Sequence, residues 1–225
     1  MLSEHGHPWL AATLDLLMRP LARFRPRVVP KAQGRVLEIG VGTGLNAPLY
    51  NADRVTSWVG VEPDPHMRRR ATSRIEALPF PTDLRSDSAE QLPFPDGHFD
   101  SLVCTFTLCT IPNAPKACQE MFRVLKPKGL LIFAEHTVSD SSGMASIQRW
   151  LNPVWKRLSG GCHLDRDPVR LLQNAGFTVR RLQGSGRRPW NLTPIHYGRA
   201  RLRKDVLDSL EPQATLLDAE FQRDS

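Results

Sequence analysis

Val36-Leu37-Glu38-Ile39-Gly40-Val41-Gly42-Thr43-Gly44 is the stretch on which the fold turns. A short apolar β-like run, Arg35–Ile39, ends in three glycines at alternate positions. Glycine reaches positive φ freely and leaves no Cβ between backbone and ligand. In an open α/β sheet, ligands sit beyond the carboxyl ends of the strands, which is where this loop falls. A dinucleotide-binding loop would place its third glycine at position 45, and that residue is Leu45. Glu38 stands two residues before the first glycine. It would repel a pyrophosphate and attract a ligand with a cationic amino-acid end. Taken singly, the three glycines describe a tight turn equally well.

Outward from this loop, strand-like and helical segments alternate. Thr56–Val61, Thr82–Arg85, Phe99–Thr105, Gly129–Phe133, Phe177–Leu182 and Ile195–Leu202 read as further strands. Pro65–Leu78, Pro115–Leu125 and Arg166–Ala175 have helical composition. The alternation predicts βαβ units and a parallel sheet covered on both faces. Residues 8–30 read as one or two amphipathic helices broken by Pro20, Pro26 and Pro30. Residues 138–164 leave the alternation and read as an insertion.

With 225 residues the chain suits one domain. The expected organisation is a catalytic domain over 1–203, with a helical cap at 1–32, a lid insertion at 138–164, and an acidic tail at 204–225. No apolar run approaches the roughly 18–20 residues that span a bilayer, and no secretory signal is visible. Cys104, Cys109, Cys118 and Cys162 form no C-x-x-C pair, so neither a disulfide framework nor a metal site is expected. The expected compartment is the cytoplasm.

The formal charge is +7. Six bases and no acid lie between Asp15 and Glu38, and nine bases and no acid between Asp167 and Asp205. Such an excess invites nucleic acid or an anionic membrane. No aromatic platform interleaves with the basic runs, so no nucleic-acid partner is expected. A weak peripheral membrane contact through the N-terminal segment stays open.

Glu38-x-Gly40-x-Gly42-x-Gly44 resembles motif I of the class I S-adenosylmethionine-dependent methyltransferases. The resemblance runs over roughly residues 33 to 200. It implies a doubly wound, Rossmann-like α/β fold of seven strands, mostly parallel with the last antiparallel. The implied cofactor is S-adenosylmethionine, with S-adenosylhomocysteine as product. Val61-Glu62-Pro63-Asp64 is similar to the family's second-strand end, where an acid, here Glu62, receives the ribose hydroxyls. A carboxylate offers paired acceptors for a cis-diol. Asp87-Ser88-Ala89-Glu90 is similar to the adenine-binding stretch. The adenine contact stays open between Asp87, Ser88 and backbone near Ala89. Asn46, Pro63 and Thr105 complete the implied cofactor set.

Val103-Cys104-Thr105-Phe106-Thr107-Leu108-Cys109-Thr110-Ile111 follows the fourth strand, where acceptors are presented. It lacks the Asn/Asp-Pro-Pro-Tyr sequence of amino-methylating nucleic-acid enzymes. Together with Glu135-His136, Trp150-Leu151-x-Pro153-x-Trp155, Gly161-Cys162-x-Leu164-x-Arg166 and Pro194-Ile195-His196-Tyr197-Gly198, it resembles the small-molecule thiol methyltransferases. Those relatives carry an N-terminal membrane anchor, in place of which this sequence has its proline-broken segment. A thiol acceptor must reach its thiolate form, and a free thiol near pKa 8.5 is only a few per cent ionised at neutral pH. His136, and after it His196, are the expected bases; each reads equally as a hydrogen-bonded structural residue. Trp9, Cys109, His136, Trp150, Trp155, Cys162 and Tyr197 are the expected acceptor pocket. C-, N- or O-methylation of a quinone, phospholipid or natural product is the alternative chemistry.

Overall fold

Seven strands build one sheet in the computed structural model, which describes residues 6–184 and 193–203, the side chains of 181–184 excepted. They are β1 (Gly34–Ile39), β2 (Val55–Val61), β3 (Thr82–Arg85), β4 (Phe99–Thr105), β5 (Leu125–His136), β6 (Phe177–Gly184) and β7 (Ile195–Leu202). Their order across the sheet is β3-β2-β1-β4-β5-β7-β6. The first five pair in parallel, and β7 runs antiparallel between β5 and β6. The expected mostly parallel sheet with an antiparallel last strand is what the chain forms. The acidic tail at 204–225 lies outside the described residues.

Both faces of the sheet are buried, which explains the nearly unbroken apolar strands. On one face Leu37, Ile39, Leu102, Leu131 and Phe133 pack against Ala117, Cys118 and Met121 of α4 (Ala114–Val124) and Val169 and Leu172 of α6 (Pro168–Asn174). On the other, Val36, Trp58, Val103 and Ile132 pack against Ala71 and Ile75 of α3 (Pro65–Glu76) and the N-terminal Phe24, Val28 and Val29.

The helix starts were written in the sequence as an acid or amide followed by proline. Asp64 accepts from the backbone of His66 and Met67 at 2.8 and 3.2 Å, Asn113 from Lys116 at 3.1 Å, and Asp167 from Arg170 at 3.0 Å. Each side chain satisfies donors that the first helical turn leaves unpaired, and a nearby proline needs no donor there.

Residues 8–30 are broken near their prolines, as expected. The N-terminal helix divides into α1 (Pro8–Leu17), a 3-10 stretch, a single turn α2 (Arg25–Val28) and another 3-10 turn. The prolines at 20, 26 and 30 account for the breaks. Residues 138–164, expected as a lid insertion, hold the 17-residue helix α5 (Ser142–Leu158), with Pro153 inside it. Ile147, Trp150, Val154, Trp155 and Leu158 form an apolar stripe exposed on α5. Among the described residues no helix is long and apolar enough to cross a membrane.

Candidate active site

The glycine loop lies between two walls. Gly40 and Gly42 have φ of +67° and +58°, a region that side chains with a Cβ enter only with strain. A Cβ on Gly40 would also overlap the Thr107 methyl group, from the loop that follows β4. Thr107 Oγ1 donates to Gly40 O at 3.3 Å. From the other side Leu14 of α1 comes within 3.5 Å of where a Cβ on Gly42 would stand. Asp15 of α1 accepts from Thr43 Oγ1 at 2.5 Å and Arg74 Nη2 at 2.6 Å. These bonds, with burial opposing them, hold its carboxyl below the usual range.

Glu38 does not face open space, as its place in the sequence suggested. It is 1% exposed, and Tyr50 Oη, Trp58 Nε1 and Asn46 Nδ2 donate to it at 2.6, 3.2 and 2.9 Å. Asn46 in turn accepts from Arg25 Nη1 at 2.8 Å, and Arg25 donates to Thr105 Oγ1 at 2.7 Å. Burial raises the Glu38 pKa against these bonds, and burial lowers that of Arg25. Glu38, Asn46, Thr105 and Arg25 thus form one buried network that floors the loop. Arg25 Nε is buried without a hydrogen-bond partner, and the guanidinium lies 5.1 Å over the Phe106 ring.

Glu62, at the end of β2, accepts from Gly42 N at 2.8 Å and Asp64 N at 3.0 Å. Burial pushes its pKa up, and these two N–H groups counter it. Each oxygen keeps a further lone pair, so the carboxylate fits a cis-diol. Pro63 is exposed beside it. Beyond β3, Asp87 accepts from Arg85 Nε at 2.5 Å, Ser88 Oγ accepts from Glu90 N at 3.2 Å, and Ala89 is buried. The residues therefore fit S-adenosylmethionine. The glycines at 40, 42 and 44 admit close backbone approach, and the Glu62 carboxylate offers paired acceptors to a ribose diol.

The loop after β4 leads from this cradle to a second group. Phe106 is the one non-glycine residue with positive φ, +56°, among the described residues. Such strain in an aromatic residue persists where surroundings enforce it. Here Glu135 does so, accepting from Thr107 N at 2.9 Å and Leu108 N at 3.2 Å. Burial lifts the Glu135 pKa to about 7 against those bonds. Two residues past Thr107, Cys109 meets His136 and Cys162, with ligand atoms all within 4.8 Å. His136 Nε2 stands 2.8 Å from Cys162 Sγ. Hydrogen bonds from Cys109, then His136, hold the Cys162 thiol down to about 4, against burial. The Cys109 thiol is raised by the same bond and by burial. Burial disfavours charge on His136, yet its bond to Cys162 leaves it above its ordinary value.

Expected site residues divide accordingly. His136, Cys109 and Cys162 come together, against the reading that their spacing held no such group. Trp155 reaches Cys162 as well. His196 is buried in β7, in register with Glu135. Tyr197 packs on Phe24 at 5.6 Å and accepts from Arg27 Nη1 at 3.1 Å. Trp9 and Trp150 are 52% and 78% exposed. Arg25, Thr107 and Asp15 were missed. Only Asp15 had left a signal, as the one charge in an apolar helical run.

A family described as "Methyltransferase domain" matches residues 37–133. The rat thiol S-methyltransferase TMT1B is 34% identical over 154 residues, 66% of this chain and 62% of that protein. The phosphatidylethanolamine N-methyltransferase of Cereibacter sphaeroides is 35% identical over 120 residues, 52% of this chain and 58% of that one. The chain spans about three fifths of the length of these curated relatives. Among solved structures, the YcgJ protein of Bacillus subtilis superposes with a TM-score of 0.64 at 17% identity, covering 86% of this chain and 99% of that one. This last likeness is one of fold.

Proposed function

We propose, from the premise that this chain carries a class I S-adenosylmethionine-dependent methyltransferase domain, that the protein methylates the sulfur of a small thiol. One observation carries the reading. A single turn of α1 covers both halves of the site: Leu14 lies on the glycine loop, and Leu10 packs on Gly160, two residues from Cys162. Residues four apart on a helix are about 5–6 Å apart. The cradle and the Cys109–His136–Cys162 group are thus neighbours under one lid. The similarity to the rat thiol S-methyltransferase supports the same acceptor.

S-adenosylmethionine, when bound, supplies a methyl group on a sulfonium whose sulfur leaves neutral. The protein's part is positioning, exclusion of water and deprotonation of the acceptor. Glu62 orients the ribose, and the Glu38–Asn46–Arg25–Thr105 network keeps the loop rigid. Leu14 and Leu10 close the site to water. Glu135 fixes the loop that presents Cys109. The acceptor loses its proton at the Cys109–His136–Cys162 group. Calorimetry with S-adenosylhomocysteine tests the cradle, and product mass spectrometry over a panel of alkyl and aryl thiols tests the acceptor. Turnover of a quinone or lipid amine with no thioether formed would overturn the thiol reading.

We also propose that the protein touches an anionic membrane surface. The apolar stripe of α5 is bordered by Arg149, Lys156 and Arg157, and α1 exposes Trp9, Leu16 and Leu17. Aromatic and aliphatic residues beside bases fit an interfacial helix. Flotation with phosphatidylserine vesicles should fall in a Trp150→Ser, Leu158→Ser double variant. Equal flotation of the variant and the native chain would refute it.

A further inference from the structure

Cys109, His136 and Cys162 come from three separated segments, and each is held from behind. The Cys109 carbonyl accepts from His163 N at 2.9 Å. His136 closes β5 in register with Ile195. Cys162 follows Gly160 and Gly161, both with positive φ. His136 Nδ1 is buried without a hydrogen-bond partner. No protein group therefore fixes the tautomer, and Nε2 is free to present a lone pair in place of a proton.

Two sulfurs and an imidazole nitrogen are the donor set zinc prefers. Zn–S near 2.3 Å and Zn–N near 2.0–2.1 Å in a tetrahedron set donors about 3.5–3.8 Å apart. The three atoms here, within 4.8 Å of one another, reach that spacing with small side-chain adjustments. Among the described residues no fourth Cys, His, Asp or Glu joins them. Three protein ligands with one position left for water or substrate is the arrangement of catalytic rather than structural zinc.

We propose that Cys109, His136 and Cys162 bind one zinc ion whose fourth position takes the sulfur of the acceptor thiol. This rests on the thiol reading above and names how the acceptor is activated. Cys109 and His136 are buried and Cys162 only half so, so the open position faces the side of Cys162, beneath α1. A thiol that coordinates zinc gives up its proton, here to solvent. Its sulfur then forms the new S–CH3 bond as the methyl–sulfonium bond of the donor breaks. The electron pair of that bond stays on the leaving sulfur. The thioether, a weaker ligand than a thiolate, is replaced by the next thiol. His136 is then a ligand, and the base expected from the sequence is not needed.

Metal analysis of the full chain, purified under reducing conditions, should find about one zinc per chain. Cys109→Ser and Cys162→Ser should each lower it tenfold or more. Because loss of a buried thiol can unfold a chain, the native chain is also stripped and loaded with Co2+. It should show a thiolate-to-cobalt charge-transfer band and tetrahedral d–d bands. Ethanethiol added without S-adenosylmethionine should shift the d–d bands. Absence of the charge-transfer band would overturn the site, and d–d bands indifferent to ethanethiol would overturn its role. A stripped chain that methylates thiols at the native rate would overturn the zinc proposal and leave methyl transfer standing. Band shifts with ethanethiol, but no thioether from loaded or stripped chain, would support the zinc–thiol site and refute the function on which it rests.

Discussion

The two halves of the site are built on opposite plans. The cofactor half draws most of its residues from one short run, Glu38 to Glu62, and depends on glycine φ values, backbone N–H groups and the carboxylates at two strand ends. The acceptor half gathers Cys109, His136 and Cys162 from a loop after β4, the end of β5 and the turn after α5. The first depends on local chain geometry and tolerates few residue types. The second depends on the sheet being assembled, and its chemistry lies in side chains. One cradle of this kind can therefore serve many acceptors, and under the proposed function the acceptor group is where this protein's specificity lies.

Glu38→Ala should have the largest effect, and on stability. It strips Tyr50, Trp58 and Asn46 of their shared acceptor and leaves Arg25 buried among them. Removing one partner of a buried charged network costs about 3–5 kcal/mol. Denaturant unfolding followed by circular dichroism measures it, and a loss under about 1 kcal/mol would show the network to be slack.

His136→Ala should separate the halves. Turnover of a thiol should fall about a hundredfold or more, with affinity for S-adenosylhomocysteine within about twofold of native, since His136 belongs to the acceptor group alone. Glu62→Ala should do the reverse. It removes the ribose acceptor and frees the Gly42 and Asp64 N–H groups, weakening cofactor binding by about tenfold to a hundredfold, while the acceptor group is left intact. If either variant moves both quantities equally, the division is wrong.

Asp15→Ala should be the mildest. Its bonds to Arg74 and Thr43 are partly exposed, and such pairs are worth about 0.2–1 kcal/mol. Trypsin cleavage after Arg23 should speed up a few-fold as α1 undocks. An unchanged rate would mean that the apolar contacts of Leu10 and Leu14 hold the lid alone.

The fold was legible because its signals are periodic and local. Apolar strands and the glycine loop each read within a few residues. Glu62 could be read because it sits at a strand end. Glu38 was placed correctly and oriented wrongly. Arg25 of α2, Asn46 and Tyr50 flanking one 3-10 turn, and Trp58 of β2 gather around it, and burial decides which way a carboxylate points. The helix in 138–164 was obscured by its internal Pro153 and by apolar residues that face outward. The Cys109–His136–Cys162 group had no spacing to read, since α4, β5 and α5 lie between its first and last members along the chain and only the folded sheet brings them together.

The central claim is sulfur methylation, and one incubation tests it most directly. The purified chain is given S-adenosylmethionine carrying a trideuterated methyl group, together with an equimolar mixture of an alkyl thiol, a quinol and a lipid amine. Mass spectrometry should find the label in the methyl thioether, and His136→Ala should abolish that product while S-adenosylhomocysteine still binds. Label in the quinol or amine with none on sulfur would contradict the account.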